Sequence, residues 1–109
     1  MKKNFYSHLV NIEAVYFSLH ALDMNEKEKQ DLMAIVESSV HHLVIDTVLS
    51  ELPEKDKEKF MTHLVANDDA AVWKLLRKNT KDIDKKIVKA VEELKKELRQ
   101  DIHSLILLR

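Results

Sequence analysis

The chain has 109 residues and a net charge of −1, with no cysteine, no glycine and a single proline, Pro53. A chain of this length fits one domain, residues 1–109, and buries roughly 65% of its unfolded-state surface without staples. The absences exclude disulfides, thiolate-bound zinc, iron–sulfur clusters, cysteine nucleophiles and glycine-rich phosphate loops, and they starve hairpins of turn residues.

An all-α bundle of about five helices follows, with expected spans 5–22, 25–51, 54–66, 69–78 and 81–106. In the first, Phe5, Leu9, Ile12, Tyr16 and Leu19 recur at steps of 4, 3, 4 and 3, and Val15 and Leu22 widen the stripe. Met1-Lys2-Lys3 before Phe5 has the outline of an export signal, but Asn4, His8, Asn11, Glu13 and His20 interrupt the apolar stretch. No uninterrupted apolar run approaches the roughly 20 residues of a membrane span, so the sequence reads as that of a cytoplasmic protein without one.

Asn25 is placed to cap the second helix, with Glu28 three residues on as its reciprocal partner. Between Val40 and Leu52, the residues Leu43, Val44, Ile45, Val48 and Leu49 point in nearly every direction around the axis. That pattern predicts a helix central to the bundle.

Leu52-Pro53 ends it, because proline disfavours α geometry in the preceding residue and suits the first position of the next helix. Phe60, Met61, Leu64 and Val65 are the expected buried edge of the third helix. Asn67-Asp68-Asp69 supplies a turn and a cap for the fourth, whose apolar face is Val72, Trp73, Leu75 and Leu76.

Thr80 or Asp82 is the expected cap of the fifth. There Ile83, Ile87, Val91, Leu94, Leu98, Ile102 and Leu105 trace one stripe, and Asp82 with Lys86 and Glu92 with Lys96 form acid-before-base pairs. From about Leu43 to Leu98, the run Glu51-Leu52-Pro53-Glu54, then Phe60, a short acid-capped helix and a long charged helix, resembles a family of uncharacterised small helical domains of candidate-phyla bacteria. The resemblance implies a small helical protein without assigned activity, and it carries no catalytic or binding residues onto this chain.

Four features bear on function. His42 and Asp46, one turn apart with Ser39 on the same strip, are expected to be buried and to act either as a hydrogen-bonded pair or as two metal ligands, with His41 or His63 completing the set. The carboxylate-bridged sites of helical bundles use Glu-x-x-His pairs, which this sequence lacks. A His–Asp pair also lacks a nucleophile, so no enzyme constellation is recognisable and no cofactor is implied.

Charge is the second feature. Residues 1–73 carry 7 lysines and 13 acids, whereas residues 74–109 carry 11 Lys plus Arg against 6 acids. Lys74, Arg77, Lys78, Lys81, Lys85, Lys86 and Lys89 form a basic run suited to nonspecific contact with nucleic-acid phosphates. Helices three and four imitate a helix-turn-helix, but Ala70-Ala71-Val72-Trp73 puts small and apolar groups where base-reading side chains belong. Lysine outnumbers arginine 15 to 3, which suits a solvated face better than bidentate recognition.

Third, Leu105, Ile106, Leu107 and Leu108 crowd the end of an amphipathic helix, more apolar residues than one stripe can bury. Fourth, Trp73 and Phe60 either line a small-molecule pocket or belong to the core. Taken together, these features favour a protein-interaction or self-association module acting through apolar helix faces and the C-terminal tail. Nucleic-acid backbone binding, and metal or small-ligand binding near His42 and Asp46, are the alternatives.

Overall fold

A computed structural model describes the backbone of residues 4–107 and the side chains of residues 4–104. Five α-helices and no β-strand occur among the described residues: α1 Glu13–His20, α2 Glu26–Glu51, α3 Glu54–Val65, α4 Asp69–Asn79 and α5 Ile83–Leu107. They form an elongated body of 50 × 23 × 21 Å. Helix α2 packs chiefly along α5, α1 lies against both, and α3 packs with α4.

The first helix is shorter than its periodicity predicts, because residues 5–9 are turns. Short polar side chains divert the backbone there: Ser7 Oγ accepts from the Asn4 N–H at 2.7 Å, and Asn11 Oδ1 accepts from the Glu13 N–H at 2.9 Å. The apolar residues reach the core all the same. Phe5, Tyr6, Ile12, Val15, Leu19 and Leu22 are buried.

An aromatic cluster fastens this segment to α3 and α4. The Phe5 ring sits 5.8 Å from both Phe60 and Trp73, edge to face, and the Trp73 indole N–H donates to the Phe5 carbonyl at 2.9 Å. Trp73 and Phe60 are therefore core residues rather than the walls of a pocket. On α3 only Phe60 of the four expected edge residues is buried, with Leu64 partly so, while Met61 is exposed and Val65 is 78% exposed. Helix α3 packs with α4 alone among extensive neighbours, so one side of it has no cover.

The caps follow local chemistry. Asn25 Oδ1 accepts from the Glu28 N–H at 2.9 Å, and the Asn25 side-chain amide donates to Glu28 Oε1 at 2.7 Å, closing the box through the side chain. Asp68 caps α4 by accepting from the Ala71 N–H, and the preceding Asn67 takes a left-handed φ of 56° that asparagine tolerates. Thr80 closes the end of α4 through the Leu76 carbonyl rather than opening α5. Asp82 precedes α5 with a left-handed φ of 55°, a geometry outside the usual capping range.

The ion pairs also differ from sequence spacing. Lys86 pairs with Glu51 of α2 at 2.7 Å and Glu92 with Lys95 at 2.8 Å, so tertiary proximity and the adjacent turn outcompete the expected four-residue partners. Asp56, in the first turn of α3, is buried, and its Oδ2 has no hydrogen-bond partner. Its charge lies where the free N–H groups of the helix start are most favourable to an anion.

Candidate association surface

The second helix is not surrounded. Its buried residues are Val36, Val40, Val44 and Val48, a single stripe at steps of four. Only α5 and α1 cover it extensively, because α3 and α4 are short and pack with each other. The remaining circumference, although rich in apolar residues, is left partly or wholly open.

His42 and Asp46 lie on that open side. Both are exposed, which corrects the expectation that they are buried, and no hydrogen bond joins them. Ser39 is half-buried. No group of three or more His, Asp or Glu side chains is placed to hold a metal ion among the described residues, so neither His41 nor His63 completes a set with this pair. Ile35, 58% exposed, shares the face, whereas Ile45 and Leu49 are partly buried and pack against the core.

Helix α2 is also long and apolar enough to cross a bilayer by length and composition, yet only 22% of the qualifying stretch is buried. The helix qualifies without an uninterrupted apolar run. Between Leu32 and Leu49 only Glu37 and Asp46 carry formal charge, and the histidines and serines merely break the run.

His41 faces the other way, into a cleft between residues 4–12 and α2. Tyr6 Oη and His41 Nδ1 are 2.9 Å apart, and the Tyr16 hydroxyl donates to Glu37 Oε1 at 2.6 Å. A cavity of about 410 Å³ adjoins them, floored by Val10, Ile12 and Val40. Burial, reinforced by the Glu37 carboxylate, pushes the Tyr6 hydroxyl up to about 12. Burial also raises Tyr16, helped by its hydrogen bond to Glu37 and by that carboxylate's charge. These side chains stand 21 to 35 positions apart in sequence, and no motif spacing relates them.

All seven residues of the basic run are exposed, divided between α4, the following turn and α5. Two are engaged within the chain: Lys86 with Glu51, and Arg77, whose guanidinium lies 5.6 Å from the Trp73 ring centroid. A shallow groove of about 810 Å³ between α1 and α5 continues from Lys89 past Lys96 and Arg99, but Glu92 and Glu93 line it too. The side chains of Leu105, Ile106 and Leu107, and the whole of Leu108, lie outside the described residues. Compared with known proteins, the chain matches no family model, no curated protein and no solved structure.

Proposed function

We propose that the chain is a small helical association module that works by burying an apolar helix face against another protein surface. The observation that carries this reading is the set of large apolar side chains left exposed on the helices, Ile35 at 58% on α2, Phe17 at 78% on α1, and Met61 at 40% and Val65 at 78% on α3. Soluble monomers leave single apolar residues exposed without consequence, but Met61 and Val65 lie one turn apart on α3, and a contiguous apolar patch is generally a contact surface. The apolar run Leu105 to Leu108 supports the same reading at the level of sequence.

The uneven charge of the two chain halves suits such a module, since complementary fields orient partners on encounter more than they add affinity. Sedimentation of the purified chain over a range of concentrations tests the proposal. The expected result is a mass that rises with concentration and falls back toward the monomer in Ile35→Glu. A monomer at every concentration that captures no protein partner overturns it.

A further inference from the structure

The cleft between residues 4–12 and α2 is built like a small-molecule site. Its helical wall is Ala34, Glu37, Ser38 and His41, separated by steps of 3, 1 and 3 and therefore on one face of α2. Ala34 and Ser38 lie one turn apart, and their short side chains leave a gap in the helix surface that longer residues would fill. The segment opposite spans this gap without filling it, its backbone held in a turn by the Ser7 hydroxyl, which accepts from the Asn4 N–H. What remains is the cavity of about 410 Å³, within the size range of sites that enclose small organic molecules.

The lining selects a ligand by charge. Val10, Ile12 and Val40 form an apolar floor, while Glu37 is exposed and brings its carboxylate to the mouth. The Tyr16 hydroxyl reaches across from α1 to Glu37 Oε1 at 2.6 Å. That bond orients the carboxylate without saturating it, since a carboxylate accepts several hydrogen bonds. Among the described residues no lysine or arginine lines the cavity, and Glu37 forms no ion pair. The cleft therefore offers an anchored negative charge beside a sheltered apolar surface.

We infer that this cleft binds a small organic cation, a protonated amine on a compact apolar body. The ammonium group donates to Glu37 in a charge-assisted bond, and the apolar body rests on the valine and isoleucine floor. An organic anion is repelled by the same carboxylate, and a neutral molecule leaves that charge without a counterpart. The site is separate from the exposed apolar residues on which the association reading rests.

The test is a titration of the intact, nitrogen-15-labelled chain at neutral pH with 2-phenylethylamine, followed by amide chemical shifts. Two further probes, 2-phenylethanol and 3-phenylpropionate, keep the ring and replace the cation by a hydroxyl or an anion. The amine is expected to give saturable shifts centred on Ser7, Ser38 and His41, the alcohol to bind about tenfold more weakly, and the acid not to bind. Glu37→Gln keeps an acceptor for Tyr16 and is expected to weaken the amine about tenfold. Ala34→Phe, at an exposed position, fills the gap with Glu37 in place and is expected to abolish binding. Circular dichroism checks that each variant keeps its helicity, and the comparison of the three probes on the parent chain needs neither variant. Absence of saturable binding by the amine, equal binding of all three probes, shifts centred outside the cleft, or unchanged affinity in either folded variant overturns the inference.

Discussion

The aromatic cluster of Phe5, Phe60 and Trp73 and the outer face of α2 both contain large apolar residues, with opposite outcomes. In the cluster, three chain segments converge and their rings are buried edge to face. On α2, Ile35 stands 58% exposed on a side of the helix that no long element covers, while Ile45 and Leu49 are partly buried against the core. Periodicity determines which residues share a face. Whether the face is covered depends on how many other elements are long enough to reach it.

The largest difference between the two regions is expected in stability. Phe60→Ala removes a fully buried ring and is expected to cost about 3–5 kcal/mol in urea unfolding, a large part of a small domain's total. Ile35→Ser, measured where the chain is monomeric, is expected to stay within about 0.5 kcal/mol of the parent. A comparable loss at Ile35 would mean that the outer face is part of the monomer's own core, and the contrast would collapse.

Much of the fold was legible in the sequence because caps and breakers are local. Asn25, Pro53 and Asp68 set helix starts through their own backbone and side-chain chemistry, and the observed boundaries of α2, α3 and α4 follow from them. Residues 5–9 were misread because amphipathic spacing there satisfies a helix, while Ser7 and Asn11 offer the backbone competing hydrogen bonds. The status of α2 was misread for a different reason. A helix apolar all round is equally consistent with a bundle centre and with a helix covered along part of its circumference, and only the packing of α1 and α5 separates the two. The Tyr6–His41 and Tyr16–Glu37 contacts had no sequence signature, since they depend on how the turn segment and α1 settle on α2.

A smaller effect probes how the cluster is fastened. Trp73→Phe keeps a ring in place but removes the donor to the buried Phe5 carbonyl. Leaving that acceptor unpaired is expected to cost about 1–3 kcal/mol. Amide exchange should accelerate first in residues 5–9, which would show that the turn segment is held on α4 by this bond as well as by ring packing. Uniform acceleration across all five helices would instead mean that the cluster and the α2–α5 contact unfold as one unit.

The last expected effect is absent at neutral pH and appears only in alkali. Tyr6 and Tyr16 are the two tyrosines of the chain, so tyrosinate absorbance reports on this cleft alone. Both hydroxyls are harder to ionise in the folded chain than in the unfolded one, Tyr6 being pushed up to about 12 by burial, with the Glu37 charge second. Above the ordinary tyrosine range the folded state therefore holds more protons than the unfolded state. The stability this contributes is complete below about pH 10 and is lost as the pH rises through the folded value. Titration of the folded chain should show tyrosinate appearing late, and the double variant Tyr6→Phe, Tyr16→Phe should flatten the alkaline loss of stability. Ordinary titration of both hydroxyls in the folded chain would mean that residues 4–12 stand away from α2. The inner side of that helix would then be as open as the outer, and the contrast between its two faces would have no physical basis.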